Sequence, residues 1–296
     1  MERTINFCPG VGSSAHVIQH TELLLTSVYI EHPLLIMVNR GHKIIRWDNQ
    51  ECIIQAGEIV AVSSGQTVDV INGLSDDGLF FSHQLRCDPR LIATFASHPA
   101  SAGLGYVTGV MPVRNLAPEF INTFSNTFKA ISDTGDIPPT IVRHRMLELL
   151  LWLAQRGVKF ILNESDSLSE RVRRCLAVDP HKIWSASEVA DHMAMSEVVL
   201  RRKLAAEKIL LRDLMIDVRM TSALRLLQGT DWPISLIASQ VGYESASRFA
   251  ERFRKRFGFA PTAIRGHHRL HAADIDPPPE SYHRYLGLHT PDLGSI

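Results

Sequence analysis

Residues 233–261 read Pro-Ile-Ser-Leu-Ile-Ala-Ser-Gln-Val-Gly-Tyr-Glu-Ser-Ala-Ser-Arg-Phe-Ala-Glu-Arg-Phe-Arg-Lys-Arg-Phe-Gly-Phe-Ala-Pro, and the fold turns on them. Phe249, Phe253 and Phe257 recur every four residues, a spacing that lines them along one side of a helix and makes that side the buried one. Ser247, Arg248, Glu251, Arg252, Arg254 and Lys255 are left around the remaining faces. Upstream, Pro233 suits the first turn of a shorter helix, Gly242 supplies a tight turn, and Ser245 is an N-cap candidate for the phenylalanine-bearing helix. The unit is a helix, a turn and a second helix.

The same unit occurs once more upstream. Val189-Ala190-Asp191-His192-Met193-Ala194-Met195 aligns with Ile237-Ala238-Ser239-Gln240-Val241-Gly242-Tyr243 at an offset of 48 residues, and after a one-residue insertion Ser196, Leu200 and Leu204 fall on Ser245, Phe249 and Phe253. Ser185 followed by Glu188 forms a capping box for the first helix of this copy. Small residues Ala190 and Ala238 let the paired helices approach closely. On residues 197–207, Leu200 and Leu204 face inward while Val198, Arg201, Arg202 and Lys203 lie outside the leucine stripe. Two helix-turn-helices follow, each offering a basic second helix.

Between them, residues 211–228 keep a continuous helical pattern with Leu211, Leu214, Met215, Val218, Ser222, Leu226 and Leu227 on one side. At ~1.5 Å per residue this connector spans roughly 27 Å. Successive major-groove faces of B-DNA recur every ~34 Å, so a rigid connector of this length suits two reading heads on one side of a duplex.

Further upstream the period changes. From about Leu23 to Leu85, short β-branched runs alternate with turn chemistry at Asn39-Arg40-Gly41, Asp48-Asn49-Gln50, Ala56-Gly57, Ser63-Ser64-Gly65 and Asp76-Asp77-Gly78. Residues 43–47, 52–55, 59–62 and 68–71 fit strands of an antiparallel barrel or sandwich. Helical spacing returns at 90–97, 118–131 and 140–156. In the last, Ile141, Met146, Leu147, Leu150, Leu151 and Ala154 predict a broad apolar face with Gly157 as its stop; its partner is the barrel, the preceding helix or the same helix of a second subunit.

Composition agrees with a folded, two-domain chain. The 296 residues carry 31 Lys+Arg against 31 Asp+Glu and are 45% hydrophobic, which excludes wholesale disorder. The balance hides an asymmetry: residues 1–130 hold 8 basic and 11 acidic side chains, 8 − 11 = −3, whereas residues 181–266 hold 14 and 9, 14 − 9 = +5. The basic excess sits with the helix-turn-helices. No apolar run approaches the ~20 residues of a transmembrane helix, so a cytoplasmic protein is expected. Cys8, Cys52, Cys87 and Cys175 are scattered without a C-x-x-C pair and read as reduced structural thiols. His267, His268, His271, His283 and His289, with Pro277-Pro278-Pro279, read as a flexible tail rather than a metal cluster.

These residues resemble the AraC/XylS family of bacterial transcription regulators. Its second-unit signature is present as Ile234, Ile237, Ala238, Gly242, Tyr243, Phe249, Phe253, Arg254, Lys255, Phe257, Gly258 and Pro261, and its connector arginine falls on Arg219, followed by Ala223 and Leu227. The resemblance covers about residues 169–265; the first unit lacks the family's glycine around 208–210. It implies base reading by Val198, Arg201 and Arg202 in the first unit and by Ala246, Ser247, Arg248, Ala250 and Glu251 in the second. Arg252 and Lys255, with the helix N-termini at Ser196 and Ser245, are expected at phosphates. The implied architecture is α+β in two domains: a cupin-like antiparallel β-barrel (1–114), a helical dimerisation segment (115–162), a linker (163–168), an all-α tandem helix-turn-helix domain (169–266) and the tail (267–296).

The expected partners are double-stranded DNA, RNA polymerase, a small-molecule effector at the barrel and a second copy of the chain, with no cofactor. The metal-binding cupin's H-x-H is missing, and His83 stands alone between Ser82 and Gln84. A cupin-type enzyme with a DNA-binding appendage is the alternative, and it needs a ligand set that His16, His20, His32, His42 and His83 do not spell out.

Overall fold

A computed structural model describes residues 2–133, 137–160, 167–230 and 232–265. The expected tail, 267–296, and most of the expected linker lie outside the described residues. The chain divides into two compact units, residues 1–163 and 164–296.

The first unit runs β1 (Glu2–Cys8), β2 (Gly12–Gln19), β3 (Leu24–Ile30), β4 (Leu34–Arg40), β5 (His42–Trp47), β6 (Gln50–Gln55), β7 (Ile59–Val62), β8 (Gln66–Gly73), β9 (Phe80–Cys87), α1 (Pro89–Ala96), β10 (Gly105–Tyr106), β11 (Val110–Val113), α2 (Pro118–Ser132), α3 (Pro139–Ala154) and β12 (Val158–Lys159). Antiparallel pairing builds a larger sheet in the order β1-β2-β9-β4-β7-β11 and a smaller one in the order β3-β8-β5-β6. Asp48 and Asn49 close the β5–β6 hairpin with φ of 43° and 62°, a left-handed conformation these two residue types tolerate.

Strand β4 explains how the layers stack. Leu34, Ile36 and Val38 point into a cluster with Ile45, Ile54, Val68 and Phe80 between the two sheets. Leu35 and Met37, on the other face, join Phe120, Phe124, Met146 and Leu150 beneath α2 and α3. A strand buried on both faces must be apolar without alternation, as residues 34–38 are. Strands β1 and β2 lie outside the stretch whose turn chemistry announces strands, because β2 buries Ser13, Ser14 and Gln19 among its apolar residues.

Helix α3 corrects the sequence reading. Its buried face is Val142, Met146, Leu149, Leu150, Leu153 and Ala154; Ile141 is 45% exposed and Leu147 and Leu151 are only partly covered. With apolar residues around most of its circumference, spacing alone leaves the phase undetermined. Gly157 follows the helix at φ 77°.

The second unit is helical: α4 (Leu168–Ala177), α5 (Ala186–His192), α6 (Glu197–Ala206), α7 (Leu211–Gly229), α8 (Ile234–Gln240), α9 (Ala246–Phe257) and α10 (Thr262–Arg265). The connector α7 is not one-sided as expected. Leu211, Leu214 and Val218 pack into the first helix-turn-helix, whereas Met220, Thr221, Ala223, Leu224, Leu226 and Leu227 are all buried in its C-terminal half, and Ser222 is only partly so. Among the described residues no helix is long and apolar enough to cross a membrane.

The cysteines are free, and burial pushes the Cys87 thiol up to about 12. His83 on β9 stacks on Phe128 of α2 at 4.0 Å between ring centroids and meets Phe81 edge-on at 4.7 Å. Its Nδ1 is buried without a hydrogen-bond partner among the described residues. Burial, aided by the charge of His16, pushes its pKa down to about 4. Between about pH 6.5 and about pH 4 the unfolded chain takes up a proton that the folded unit refuses, so His83 lowers stability as pH falls through that window. Thermal melts from pH 7.5 downward are expected to fall more steeply for the native chain than for His83→Phe; parallel profiles would contradict this placement.

Candidate nucleic-acid interface

Each helix-turn-helix is assembled by local chemistry. Ser185 Oγ accepts from Glu188 N at 3.1 Å while a Glu188 carboxylate oxygen accepts from Ser185 N at 2.8 Å, the expected capping box. That backbone hydrogen bond, with Lys182 3.0 Å from the same carboxylate, holds Glu188 down at about 2. Ser196 and Ser245 cap α6 and α9, each Oγ accepting a backbone N–H at 3.4 Å. Pro233 falls one residue earlier than expected, at the N-cap of α8.

Leu200 and Leu204 turn α6 toward Val172, Trp184, Val189 and Leu214. In α9, Phe249, Phe253 and Phe257 are fully buried, with successive centroids 5.7 and 4.7 Å apart. Burial of each ring contributes roughly 1.5–3 kcal/mol, enough to fix the rotation of the helix about its axis. What remains outward is then determined. Val198 (77% exposed), Arg201, Arg202 and Lys203 on α6 are exposed, as are Ala246, Ser247, Arg248, Glu251, Arg254 and Lys255 on α9. Ala250 and Arg252 are half-buried at the margin of that surface.

At roughly 100° per residue, Val198 and Arg202 occupy the centre of the outward arc of α6, and Ser247 and Glu251 the equivalent centre on α9. The two heads are thus chemically unlike at their middles. Arg201 is engaged by Glu197 one turn earlier at 2.8 Å, an exposed pair worth about 0.3–0.5 kcal/mol and easily exchanged for another acceptor. Among the described residues, Arg202, Lys203, Arg248, Arg254 and Lys255 form no ion pair. Helix α9 carries five cations against Glu251, 5 − 1 = +4, and α6 three against Glu197, 3 − 1 = +2. Both outward surfaces carry a net positive charge, which suits a polyanion.

Two connector residues matter that spacing did not single out by role. Asp217 accepts from Arg173 of α4 at 3.0 Å through one carboxylate oxygen and from Arg256 of α9 at 2.6 Å through the other. Arg219 donates to the carbonyls of Pro180 at 3.1 Å, Lys182 at 3.1 Å and Gly242 at 3.3 Å. No sequence signal marks Asp217, whose partners lie 44 and 39 residues away.

The turns also differ. Gly242 has φ 80°, and a Cβ there would lie 2.9 Å from His181 O and 3.0 Å from the Arg219 guanidinium. Its counterpart Ala194 adopts φ 54° with a side chain, and after α6 Lys208 adopts φ 59° where α9 ends on Gly258 at φ 87°. The left-handed stop is therefore kept in the first unit without the glycine.

A family model described as a helix-turn-helix domain matches residues 189–267, from α5 onward. The chain is 31% identical over 138 residues to the HTH-type transcriptional activator FapR of Escherichia coli, covering 45% of this chain and 52% of FapR. It is likewise 31% identical over 133 residues to the HTH-type transcriptional regulator YdeO of Escherichia coli K12, covering 43% of this chain and 52% of YdeO. Together with two helix-turn-helices on one connector and the signature from Ile234 to Pro261, this decides the assignment.

The second unit is an AraC/XylS-family helix-turn-helix domain.

The chain spans about half the length of the curated relatives it matches. In fold the likeness extends further: ToxT of Vibrio cholerae, in a structure bound to an unsaturated fatty acid, superposes with a TM-score of 0.65 over 89% of this chain and 94% of ToxT at 14% identity. A helical unit and a β-rich unit of this kind thus occur together in a solved fold, in agreement with the expected α+β, two-domain class.

In this domain Gly242→Ala is expected to destabilise the second unit by about 2 kcal/mol or more, since strain at positive φ adds to a backbone clash. Ala194→Gly and Lys208→Gly are expected to be neutral or to stabilise by up to ~1 kcal/mol. Denaturant unfolding of the full chain measures both, and a tolerated Gly242→Ala would contradict the packing of Arg219 against the turn.

Proposed function

We propose that the chain is a sequence-specific, double-stranded-DNA-binding transcriptional regulator that lays α6 and α9 into successive major-groove segments. The observation that carries this is the pair of basic helices whose rotation is fixed by buried Leu200 and Leu204 on one and Phe249, Phe253 and Phe257 on the other. Arg202 and Arg248 extend from exposed backbone toward guanine edges, Arg201 joins them on release from Glu197, and Val198, Ala246 and Ala250 offer methyl contacts to thymine. Ser247 hydrogen-bonds either kind of edge. Glu251 accepts from the amino group of cytosine, so the second head prefers a different base at its centre from the first. Arg252, Lys255 and the N-termini at Ser196 and Ser245 meet phosphate, adding affinity without sequence information. RNA polymerase is the partner through which such a protein acts, and the incompletely covered face of α3 is the candidate surface for a second copy.

For the first unit we propose effector sensing. ToxT, which shares the fold, has been solved with an unsaturated fatty acid bound. Here Lys43, Asn72 and Gln19 are buried in the apolar interior, Lys43 donating to Asn72 and lying 4.9 Å from the Phe80 ring centroid, Asn72 donating to Gln19 at 2.8 Å. A buried ammonium gives the head of an anionic effector its countercharge. The cupin-enzyme alternative needs a metal-ligand set, and among the described residues no three His, Cys, Asp or Glu side chains come together to form one.

A duplex selected by the full chain from a random pool tests the DNA reading. The log of affinity against log salt is expected to fall linearly, with Lys255→Ala reducing the slope by about 0.9 and leaving sequence preference intact. Arg201→Ala with Arg202→Ala is expected to cost roughly 10- to 100-fold on that duplex. A flat salt plot, or full affinity in the double variant, would overturn the reading. For the first unit, an unsaturated fatty acid is expected to raise the thermal midpoint of the native chain and not that of Lys43→Met; equal shifts would remove Lys43 from the site.

A further inference from the structure

Asp217 and Arg219 sit two residues apart on α7, so their side chains leave the connector roughly 200° apart, on opposite sides. Each reaches both halves of the domain. Asp217 bridges Arg173 on α4, which packs with the first helix-turn-helix, to Arg256 on α9, the second reading helix itself. The three side chains are between 12% and 25% exposed, so water screens these charge-assisted bonds only in part. Arg219 bridges Pro180 and Lys182, in the segment leading into α5, to Gly242 in the turn of the second unit, and its guanidinium lies 5.9 Å from the Tyr243 ring centroid. The apolar packing of α7 joins the halves, and these two brackets add contacts of fixed donor and acceptor geometry between them.

We infer that Asp217 and Arg219 are positioning residues that make the two heads a single rigid reader, so that the protein selects the spacing between its two DNA segments as well as their sequences. The inference rests on the DNA reading above. Two heads joined stiffly at the matching span gain ~10²–10⁴ in affinity over one, and lose that gain when the geometry forbids simultaneous engagement; a loosened joint has less to gain at the right span and less to lose at a wrong one. Arg256 points away from the basic arc of α9 and toward the connector, where it meets Asp217.

The test uses the full chain and a duplex it selects from a random pool, together with that duplex carrying one or five extra base pairs between the protected segments and a duplex keeping only one segment. The native chain is expected to lose ~100-fold on the five-base-pair insertion, whereas Asp217→Asn loses less than ~10-fold, binds the unaltered duplex several-fold more weakly and binds the one-segment duplex as the native chain does. Asp217→Glu restores the native spacing penalty. If Asp217→Asn fails to fold by circular dichroism, Arg256→Gln, which removes one arm of the bracket, is measured in its place. A spacing penalty in the folded variant equal to that of the native chain overturns the inference while leaving the DNA reading standing. A native chain that selects no duplex, or one whose second segment is dispensable, overturns both.

Discussion

The second unit depends on one helix being held from two sides. Helix α7 is apolar where the first helix-turn-helix meets it, apolar almost all round where the second does, and between these stretches carries a carboxylate and a guanidinium that each reach both halves. Remove that constraint and the two helix-turn-helices lose the helix that both pack against. On the proposed reading, the connector is what joins the duplicated units into one DNA-reading surface.

The heads that this connector presents are not copies in chemistry. Duplication preserved the inward positions, Leu200 and Leu204 answering Phe249 and Phe253, because packing tolerates only apolar residues there. The outward positions were free to diverge, and at the centre of the arc Arg202 faces Glu251 across the repeat. On the proposed DNA reading, a donor head and an acceptor head meet different base edges, so a site for this protein is expected to be asymmetric along its length. Ala250 and Arg252 lie half-buried at the margin of the arc formed by Ser247, Arg248, Glu251, Arg254 and Lys255.

Much of this was legible in residue order because it is local. The phenylalanines of α9, the capping box at Ser185 and the serine caps at Ser196 and Ser245 involve neighbours within about one helical turn, and each lies where spacing puts it. Legibility failed where environment decides. Helix α3 is apolar around too much of its circumference for spacing to tell Val142 from Ile141, and α7 buries different sides along its length, so a single stripe through Ser222 misdescribes it. Strand β2 hides behind buried Ser13, Ser14 and Gln19. Lys208 takes a left-handed conformation at φ 59°, so the stop after α6 has no glycine to announce it in the sequence. Asp217 was invisible for a simpler reason, since its partners are distant in sequence and only folding brings them together.

The central claim is that α6 and α9 engage one duplex at once, from one side. Hydroxyl-radical footprinting of the full chain on its selected duplex measures this most directly. The account predicts two protected backbone segments on the same face, centred about one helical turn, ~10–10.5 base pairs, apart. A single protected segment, or two on opposite faces of the helix, would contradict it.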